Sequence, residues 1–437
     1  MTRLSVIGTG YLGATHAACM ASLGHDVVAF DLDSEKIAKF SSGNLPFFEP
    51  GLSDLLKAGI KSGKLRFTNE LADAISNSEV HFICVGTPQV SESGAADLSQ
   101  IHSAVKAMAP LLSEGSTVVG KSTVPVGTAS WANQYFSEHA AQNIKLIWNP
   151  EFLREGFAVK DTLHPDRIVL GVSNTSDSSV VEDIYSSTIQ IGTPVIVTDY
   201  ATAELVKVAA NAFLATKISF INAFADLCDV VGADVTTLAD AIGHDTRIGR
   251  RFLNAGIGFG GGCLPKDIRA LQARANELGM KDQFEFLNQI DHINTGRRSY
   301  LVQQVAIELG DVKSKNVAIL GVAFKPDSDD IRDSPAISIA KRLIEQGANI
   351  TVHDPEALQI LSKIHPEIKS SDKVEDALAN ADLVLHLTEW QQYREIEPTK
   401  LSKLVKTRTI IDGRNILDRD TWNSAGWKII YLGRPSS

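Results

Sequence analysis

One of the four cysteines in this 437-residue chain lies in the segment GIGFGGGCLPKD, between a run of glycines and a proline. Pro265 suits the first position of a helix, and the sequence after it has helical periodicity. Cys263 therefore lies just before a predicted helix N-terminus, where partial positive charge favours the thiolate. This context favours a nucleophile over a buried, inert thiol. The inert role is predicted for the cysteines within apolar segments, Cys19, Cys84 and Cys228.

Other side chains could stabilise charge or move protons. Lys207 and Asn211 are four residues apart in a helical segment, so they share one face and could hold an oxyanion. A solvated stripe is the commoner explanation of such a pair. Thr123 ends a predicted strand in STVPVGT, and Glu151 stands beside a proline-fixed turn in NPEFLREG. Thr123 and Glu151 are each either a functional residue or an ordinary polar residue of a loop. Asp267 lies one helical turn beyond the cysteine of GIGFGGGCLPKD.

The segment GTGYLG follows a predicted strand and opens a predicted helix. Gly8 permits a tight turn, Gly10 lets the backbone approach a pyrophosphate, and Gly13 allows the helix to pack on the strand. The helix N-terminus then faces the phosphates. Asp31, at the end of the next strand, has the spacing of a carboxylate that binds a ribose 2′-hydroxyl and repels a 2′-phosphate. NAD is the predicted cofactor, and the alternative is a tight turn without a ligand.

A thiolate and a nicotinamide cofactor together permit more than one hydride transfer. The thiolate can attack an aldehyde to give a thiohemiacetal, whose oxidation gives a thioester that water hydrolyses. This route carries a primary alcohol to a carboxylate with the loss of four electrons. A lysine–asparagine pair would stabilise the oxyanions formed on the way.

The charge distribution limits the partners. The net charge is -10, and no block of Lys or Arg is dense enough to follow a phosphate backbone, so nucleic acid is not expected. An anionic small molecule would need individually placed cations. Lys325, Arg332 and Arg414 lie at or near predicted strand ends, where open α/β sheets bind ligands, although each could be a solvated surface charge.

Alternating strands and helices predict an α/β fold with two Rossmann-like doubly wound domains. RLSVIG, HDVVAFD, EVHFICVGTP and STVVGKSTVP are the strands of the first; KNVAILG, ANITVHDP and ADLVLHLTEW repeat the order of elements in the second. A long central helix, about 201–231 and roughly 45 Å long, joins them. We expect an NAD-binding domain at 1–200, a central helical domain with the cysteine loop at 201–310, and a second nucleotide-binding-type domain at 311–437, whose ligand this pattern leaves open.

The cysteines are far apart and form no CxxC or Cys/His pairs. Neither a disulfide framework nor a metal site is expected, and a reducing cytoplasm is the predicted location. No uninterrupted apolar run approaches the roughly 18 residues that span a bilayer, so no membrane association is expected.

Nine segments resemble, in this order, the UDP-glucose/GDP-mannose dehydrogenase family: GTGYLG, EPGL, VGTP, KSTVPVGT, NPEFLREG, AELVKVAANAFLATKISFIN, GIGFGGGCLPKD, AFKPDSDDIRDSP and IIDGRN. The resemblance covers nearly the whole chain and is strongest for members that act on UDP-glucose. It implies the oxidation of UDP-glucose to UDP-glucuronate with two NAD.

The resemblance also implies roles residue by residue. The implied catalytic residues are the nucleophile Cys263, the oxyanion pair Lys207 and Asn211, Thr123 and Asp267 for placing water or transferring protons, and Glu151 for thioester hydrolysis. The implied NAD site comprises Gly8, Gly10, Tyr11, Leu12, Gly13, Asp31, Lys36, Thr87, Thr123, Glu155, Lys266 and Arg332. The implied substrate site comprises Glu151, Phe152, Leu153, Arg154, Lys207, Asn211, Phe259, Gly260, Cys263, Lys325 and Arg414.

Arg247 in TRIGRRFL resembles an arginine that reaches the substrate of the neighbouring subunit, so a homodimer through the central helix is implied. Two positions depart from the family pattern. Close relatives often have lysine where this chain has Asn254 and serine where it has Gly262. The missing cation at 254 bears on contacts to the substrate diphosphate or ribose.

Three alternatives stay open at this point. The same chemistry could act on GDP-mannose or an N-acetylated UDP-sugar. A two-electron dehydrogenase of the β-hydroxyacid type would share the first domain and the long helix but would need neither Cys263 nor a nucleotide-binding third domain. A non-catalytic nucleotide sensor would be expected to lack at least one of Cys263, Lys207 and Asn211, and all three are present.

Overall fold

The computed structural model describes residues 1–435. The chain divides into two compact units. The first unit comprises Met1–Ala210 and Ala273–Gly279, and the second comprises Asn211–Gln272 and the chain from Met280 onward. The three-part division at about residues 200 and 310 stays a prediction.

The first unit is built on eight strands and the helices between them. Its strands are β1 Arg3–Ile7, β2 Asp26–Phe30, β3 Leu65–Thr68, β4 Val80–Ile83, β5 Thr117–Gly120, β6 Lys145–Trp148, β7 Ile168–Val172 and β8 Val195–Thr198. Its helices are α1 Tyr11–Ser22, α2 Ser34–Ser41, α3 Leu52–Lys61, α4 Leu71–Ser76, α5 Ser99–Met108, α6 Thr128–His139, α7 Ala158–Leu163, α8 Ser179–Ile184 and α9 Ser186–Gln190. Short 3₁₀ helices lie at Ala109–Leu111 and Thr175–Ser178.

The strands of the first unit form one sheet in the order β3-β2-β1-β4-β5-β6-β7-β8. Successive residues of β2 enter different cores: Val27 and Ala29 pack into one hydrophobic cluster, and Val28 and Phe30 into another. Since side chains alternate across a strand, the sheet is covered on both faces. This explains why its strands are nearly continuous apolar runs. The predicted doubly wound fold is confirmed here.

One pairing in this sheet was not predicted. Strand β6 pairs with β7 in the antiparallel direction, and β7 then pairs with β8 in parallel. An apolar run signals a buried strand but carries no information on strand direction. Alternating strands and helices predict parallel strands, so the antiparallel direction of β7 was not predicted.

The second unit contains a smaller sheet and the helices around it. The helices α10 Tyr200–Val231 and α12 Leu264–Glu277 contribute residues to both units; α11 Val235–Gly243, α13 Glu285–Leu309 and a 3₁₀ helix at Asp282–Phe284 belong to the second. The sheet has strands β9 Asn316–Leu320, β10 Asn349–His353, β11 Lys369–Ser370, β12 Leu383–His386, β13 Thr409–Asp412 and β14 Lys428–Tyr431. Its helices are α14 Pro335–Glu345, α15 Leu358–Ile364, α16 Val374–Leu378, α17 Gln391–Arg394, α18 Pro398–Leu401 and α19 Arg419–Ser424.

The second sheet has the order β11-β10-β9-β12-β13-β14 with all strands parallel. This is the strand order of a dinucleotide-binding sheet, so the predicted second Rossmann-like domain is confirmed. Asp354 follows β10 as Asp31 follows β2. Its buried carboxylate accepts hydrogen bonds from the backbone N–H groups of Val322 (2.7 Å), Ala323 (2.9 Å) and Ala357 (3.0 Å). Asp31 also accepts from backbone N–H groups but is partly exposed, whereas Asp354 is 2% exposed, so its carboxylate is closed to a ribose.

Helix α10 has 32 residues and confirms the predicted long central helix. Within residues 1–435 it is the one helix that is long and apolar enough to cross a membrane by length and composition alone. A helix in the core of a soluble protein satisfies the same criterion. Glu204, Lys207, Lys217, Asp226 and Asp229 interrupt its apolar sequence, and all five side chains make hydrogen bonds or ion pairs.

Truncation of a central core side chain should destabilise the second sheet. Leu385 of β12 is fully buried in the hydrophobic cluster around that sheet. Leu385→Ala should lower the free energy of unfolding by about 2–5 kcal/mol, because the removed methyl groups leave a cavity. Chemical denaturation followed by tryptophan fluorescence measures this. Ile364→Ala, at a position that is 55% exposed, is the control and should change the free energy by much less. Equal effects of the two substitutions would contradict the assigned core.

Candidate active site

The turn after β1 has the backbone geometry that dinucleotide binding requires. Gly8 has φ of +95°, and Gly10 precedes the first residue of α1. A Cβ atom at Gly13 would lie 1.8 Å from the Gly8 carbonyl oxygen, so only glycine allows this packing of helix on strand. A Cβ at Gly10 would meet no atom within 4 Å, and the backbone there is open to a ligand. The turn therefore fits a pyrophosphate at the N-terminus of α1.

Asp31 lies directly after β2, where a ribose would bind. Its carboxylate accepts hydrogen bonds from Thr9 N and Thr9 Oγ1 (both 2.9 Å) and pairs with Lys36 Nζ at 3.0 Å. Burial by itself would raise the pKa of Asp31, but the backbone N–H groups of Thr9 and Asp33 and the Lys36 ammonium outweigh it, and the pKa is lowered. An ionised carboxylate suits the hydroxyls of NAD and repels the 2′-phosphate of NADP.

The remaining predicted NAD residues of the first unit lie around this turn. Thr87 Oγ1 donates to the Thr123 carbonyl at 2.7 Å, which ties the segment after β4 to the one after β5. Leu12 packs against the apolar core of this unit, and Glu155 is buried. The Tyr11 hydroxyl bonds to the Glu49 carboxylate and accepts from Gly156 N at 3.1 Å. Tyr11 thus joins the glycine turn to the NPEFLREG segment.

Glu151 and Lys207 form an ion pair in the first unit. Lys207 Nζ lies 2.8 Å from Glu151 Oε1, and the two side chains are 5% and 12% exposed. The second carboxylate oxygen of Glu151 accepts from Leu153 N at 2.7 Å. Lys207 Nζ also lies 5.6 Å from the centre of the Phe152 ring. The ammonium group of Lys207, the predicted cation of the oxyanion pair, is therefore bound by a carboxylate and lies near an aromatic ring.

Arg154, predicted to contact the substrate, pairs with an acidic residue of its own segment. Its guanidinium makes two hydrogen bonds to Asp161, at 2.8 and 2.7 Å, and lies 5.2 Å from the centre of the Phe157 ring. The bidentate pair with Asp161 raises the pKa of Arg154. Its backbone N–H donates to the same carboxylate at 2.9 Å. In this structure Arg154 closes the loop before α7.

Glu49 is an organising residue that was quoted within EPGL but assigned no role from the sequence. It is buried and accepts from the backbone N–H groups of Gly156 (2.6 Å), Ala158 (2.7 Å) and Val159 (3.3 Å). The carboxylate caps the N-terminus of α7 from a position more than 100 residues away in the chain. Short local motifs give no sign of such a distant cap.

Lys121 is a second residue that the sequence analysis missed. This buried lysine, two residues before Thr123, donates to Asn149 Oδ1 (2.9 Å) and Tyr185 Oη (3.2 Å). Asn149 stands two residues before Glu151, and its Nδ2 donates to the Val169 carbonyl at 2.9 Å. The pair joins the segment that carries Thr123 to the one that carries Glu151. The lysine of KSTVPVGT and the asparagine of NPEFLREG were the available signal.

In the second unit, buried side chains hold the glycine-rich segment before Cys263. Gly256 N donates to Asn222 Oδ1 at 2.8 Å, and its carbonyl accepts from Arg297 Nε at 2.9 Å. Asn294 accepts from Phe259 N (2.7 Å) and donates to Phe259 O (3.0 Å). Because the segment lies outside helices and strands, these bonds replace the pairing that regular structure would supply.

The glycines of this segment are positions where other chain segments approach closely. A Cβ at Gly258 would lie 2.5 Å from Asn294 Oδ1, and one at Gly261 would lie 2.7 Å from the Phe324 ring. Both glycines also have φ near +90°, which other residues rarely adopt. A Cβ at Gly260 would lie 2.4 Å from the Asp333 carbonyl oxygen. The run of glycines is thus explained by packing as well as by ligand access.

Cys263 caps the N-terminus of α12. Its carbonyl accepts from Asp267 N at 2.9 Å, and helix α12 starts at Leu264, so Pro265 is the second helical residue and not the predicted first. Cys263 is exposed, whereas the other three cysteines are buried as predicted. Burial raises the pKa of both Cys19 and Cys84 to about 12. Cys263 is the cysteine whose sulfur an external reagent can reach.

Asp267 links Asn211 and Lys266 one turn into α12. Asn211 Nδ2 donates to Asp267 Oδ2 at 2.6 Å, and Lys266 Nζ lies 2.8 Å from Oδ1. The approach of Lys266 is close enough for an ion pair but lacks the angles of a hydrogen bond, so Oδ1 keeps an unused buried acceptor. Asn211 stands one helical turn after Lys207 on α10. Of the predicted catalytic residues, the second unit brings together Asn211 and Asp267.

The three predicted cations of the second unit differ in their surroundings. Arg414 is largely buried and donates to the carbonyls of Leu387 (2.7 Å), Gly258 (3.1 Å) and Phe324 (3.2 Å). Lys325 is half-buried, with Nζ 5.2 Å from the centre of the Phe324 ring. Arg414 is therefore not a solvated surface charge, because its guanidinium joins three loops of this unit.

Arg332 makes a bidentate pair with Asp330, and its guanidinium lies over Gly262. A Cβ at Gly262 would come within 2.3 Å of Arg332 Cζ, so the departure from serine leaves the space that this side chain fills. Phe259, predicted to contact the substrate, inserts its side chain into the hydrophobic cluster around Ile268.

Two further positions lie on the surface. Arg247 is exposed and makes a bidentate pair with Asp245. Asn254, at the position of the usual lysine, is exposed and accepts from Arg250 at 2.8 Å. In residues 1–435, no group of three or more His, Cys, Asp or Glu side chains could hold a metal ion.

Sequence comparison assigns the family. Residues 2–189 match the NAD binding domain of the UDP-glucose/GDP-mannose dehydrogenase family, residues 201–296 its central domain, and residues 318–419 its UDP binding domain. The chain belongs to this family. The predicted NAD cofactor is confirmed, since the first match includes the GTGYLG turn and Asp31, and so is the prediction of an NAD-dependent dehydrogenase.

The chain is similar to several characterised relatives. It is 39% identical over 439 residues to UDP-glucose 6-dehydrogenase TuaD of Bacillus subtilis, covering 100% of this chain and 94% of the relative. A UDP-glucose dehydrogenase structure from Pyrobaculum islandicum has a TM-score of 0.90 and 34% identity, covering 99% and 97% of the two chains. A UDP-D-ManNAc dehydrogenase from Pyrococcus horikoshii has a TM-score of 0.87 and 26% identity, covering both chains fully.

Thiol labelling tests the difference between Cys263 and the other cysteines. The native protein should take up about one carbamidomethyl group per chain from iodoacetamide, at Cys263, because the other thiols are buried. Mass spectrometry of the intact chain and its peptides measures the number and the site. Cys263→Ser should take up none in the native state and one fewer than wild type after denaturation. Native labelling at a buried cysteine, or none at Cys263, would contradict the assigned exposure.

Proposed function

We propose that this protein oxidises UDP-glucose to UDP-glucuronate in two NAD-dependent steps through a thioester on Cys263. The observation that carries the substrate is the full-length similarity to relatives that act on UDP-glucose. The observation that supports the thioester is the exposed Cys263 at the N-terminus of α12, since neither a two-electron dehydrogenase nor a sensor requires it.

Each of the two oxidation steps would transfer one hydride to a separate NAD molecule held by the first unit, so that two NAD are reduced for each substrate. In the first, the primary alcohol at C6 loses a hydride and a proton and becomes an aldehyde. The Cys263 sulfur then adds to the aldehyde carbon to form a thiohemiacetal. Loss of a second hydride and of the hydroxyl proton gives a thioester. Attack by water breaks the carbon–sulfur bond, returns the thiolate and releases the carboxylate.

Lys207 and Asn211 are proposed to hold the oxygen at the reacting carbon. They stand one turn apart on α10, so an ammonium and an amide N–H can face one oxygen. Lys207 is held by Glu151 and Asn211 by Asp267, and these bonds restrict the two donor groups to defined rotamers. Preorganised donors of this kind stabilise the alkoxide and the tetrahedral intermediates without reorganisation during the reaction.

Glu151 is proposed to assist the hydrolysis of the thioester. One of its oxygens pairs with Lys207 and the other accepts from Leu153 N, so the carboxylate keeps a fixed orientation. Thr123 and Asp267 are proposed to place the attacking water or to transfer its proton. Asp267 is held for this role by Asn211 Nδ2 at one oxygen and by the Lys266 ammonium at the other.

The second sheet is proposed to bind the UDP part of the substrate. Residues 318–419 match the family's UDP binding domain, and Asp354 blocks the alternative of a second dinucleotide at that sheet. Lys325 is a cation for the diphosphate, whereas Arg414 fixes the loops that surround it. Asn254 supplies no charge there, which leaves an N-acetylated UDP-sugar as the second candidate substrate, in line with the similarity to UDP-D-ManNAc dehydrogenase.

We also propose a cytoplasmic homodimer. The four cysteines, all within residues 1–435, form no disulfide, which suits a reducing compartment. Three exposed apolar side chains on α10, Phe213, Phe220 and Leu227, recur every seven residues and therefore share one face. A second copy of this chain would cover that face, and Arg247, which is exposed and pairs with Asp245 of its own turn, would be available to the partner.

The stoichiometry of NADH tests the reaction. Two NADH should form for each UDP-glucose consumed at completion, and Cys263→Ser should abolish that turnover because no thiohemiacetal forms. Absorbance at 340 nm and chromatography of the sugar nucleotides measure both quantities. Alkylation of Cys263 should remove the activity as well, and bound UDP-glucose should protect.

A matched control separates chemistry from folding. Cys228→Ser changes the same atom at a buried position of the same unit and should keep the two-to-one ratio. One NADH with an accumulating aldehyde or ketone would refute the four-electron route. Absence of NADH with UDP-glucose would refute that substrate, and turnover of UDP-N-acetylmannosamine in the same assay would establish the second candidate.

The dimer is tested on the apolar face of α10. Phe213→Glu with Leu227→Glu should convert the dimer to a monomer, because burying two carboxylates without partners costs several kcal/mol. Light scattering after size exclusion, over a hundredfold range of concentration, measures the mass. Ile364→Glu places the same charge on an exposed apolar site of α15 and should leave the mass unchanged. A monomeric wild type, or a dimeric double variant, would refute the proposed interface.

A further inference from the structure

Glu204 is a buried carboxylate that the proposed reaction does not use. It lies on α10, its residue is 2% exposed, and it belongs to the first unit with its contacts. Its two oxygens accept from different backbone groups: Oε2 from Gly127 N at 2.8 Å and Oε1 from Ala129 N at 2.6 Å. These N–H groups lie at the N-terminus of α6, which has no cap from its own preceding residue, Gly127.

Arg274 holds the same loop from its other side. Its guanidinium donates to the Val126 carbonyl through Nε (3.2 Å) and Nη2 (3.0 Å), and its Nη1 pairs with Glu277. Residues 125–129 are therefore bound at their N–H groups by Glu204 and at a carbonyl by Arg274. Two side chains of opposite charge clamp one short piece of backbone.

The clamped loop is the one that carries Thr123. Between β5 and α6 the chain is also fixed by Ser122 Oγ, which donates to the Val85 carbonyl at 2.7 Å, and by Thr87 at the Thr123 carbonyl. Glu204 precedes Lys207 by three residues on α10, so the two side chains project from adjacent turns of one helix. The Glu204 carboxylate is thus the direct bond between the Thr123 loop and the helix that bears Lys207.

We propose that Glu204 is a positioning residue, which holds the Thr123 loop in register with Lys207 on α10 for the oxidation proposed above. The inference rests on that proposed function. The hydrogen bonds of Glu204 go to backbone N–H groups, and its proposed role needs no contact with substrate or cofactor. It acts through the backbone of residues 127–129, and a shift of that backbone displaces Thr123 relative to Lys207.

The charge state of Glu204 supports a pH-dependent clamp. Burial raises the pKa of Glu204 to about 7, against the lowering effects of the Ala129, Gly127 and Thr128 N–H groups and of Arg274. The charged groups around it are Arg274 with its partner Glu277 on α12, and Lys207 with its partner Glu151 on the side of α10; residues 125–129 carry no titratable side chain.

The direction of the pH effect follows from the donors that Glu204 faces. The carboxylate accepts from one N–H at each oxygen and attracts Arg274. Protonation turns one oxygen into a donor that faces a backbone donor, and the attraction to Arg274 is lost. Since the pKa in the folded state is raised, the neutral form dominates below about pH 7. The clamp is therefore tightest above pH 7 and loosens below it.

The experiment compares the pH profiles of kcat for wild type, Glu204→Gln and Arg274→Met, with UDP-glucose and NAD. Glu204→Gln should lower kcat about tenfold at pH 8 with KM for both substrates changed less than about twofold, because an amide presents a donor to one of the two N–H groups. In wild type, kcat should rise with pH near pH 7 as Glu204 ionises. In Glu204→Gln this rise should disappear. Arg274→Met should keep that rise but move it to higher pH, because the loss of a positive charge favours protonated Glu204.

Asp418→Asn is the matched control. Asp418 caps α19 by accepting from Thr421 N at 2.8 Å, and it is an exposed carboxylate remote from the Thr123 loop in the chain. This substitution makes the same change of carboxylate to amide and should leave kcat and its pH profile as in wild type. Thermal melting of each variant shows whether it is folded, and Arg274→Met still decides the question where Glu204→Gln does not fold.

Amide hydrogen exchange separates failure of this inference from failure of the proposed substrate. Exchange of residues 123–131 should rise several-fold in Glu204→Gln. Faster exchange with an unchanged kcat and an unchanged pH profile would reduce Glu204 to a structural cap and overturn the inference. Unchanged exchange would also overturn it. A wild type that forms no NADH from UDP-glucose would refute the proposed substrate, and the exchange result would then decide whether Glu204 holds the loop.

Discussion

The backbone of residues 256–262 belongs to no helix or strand, and yet it must hold Cys263 at a fixed point before α12. A buried backbone without partners for its N–H and C=O groups would cost more free energy than the segment could recover. The structure meets this constraint with side chains: Asn222 and Arg297 bind Gly256, and Asn294 binds Phe259 on both sides. Close packing explains the glycines, since a Cβ at Gly258 would lie 2.5 Å from Asn294 Oδ1 and one at Gly256 would lie 2.6 Å from the Gly413 carbonyl oxygen.

The same device recurs in the first unit with carboxylates in place of amides. Glu49 binds the N–H groups at the start of α7, and Glu204 binds those at the start of α6. Each carboxylate comes from a distant part of the chain and meets the partial positive charge of a helix N-terminus. These carboxylates bind the backbone of the loops that carry Glu151 and Thr123. The side chains of the loops therefore remain available for other contacts.

Local signals predicted much of this arrangement. The glycine turn and Asp31 were found because their chemistry lies within one βαβ unit, and Cys263 because its helix start lies in the following residues. Glu49, Lys121, Asn222 and Glu204 were assigned no role, since their bonds join segments that are distant in sequence and follow no local period. For the same reason the pairing of Arg154 with Asp161 and the packing of Phe259 in an apolar cluster were not predicted, and the roles of these two residues at the substrate stay predictions. Chemistry within one element can be derived from the sequence, but a bond between elements requires the fold.

The contacts of Asp354 have a consequence for how the ligand of such a domain is predicted from its sequence. The second sheet keeps the strand order and the carboxylate of a dinucleotide-binding fold, but the loop after β9 turns its own N–H groups onto that carboxylate. This carboxylate is buried, whereas Asp31 is partly exposed, so the same residue type after the second strand is internal scaffolding in one sheet and lies at a cofactor site in the other. A carboxylate at this position therefore indicates a dinucleotide only together with a glycine turn such as Gly8–Gly13, which the segment after β9 lacks.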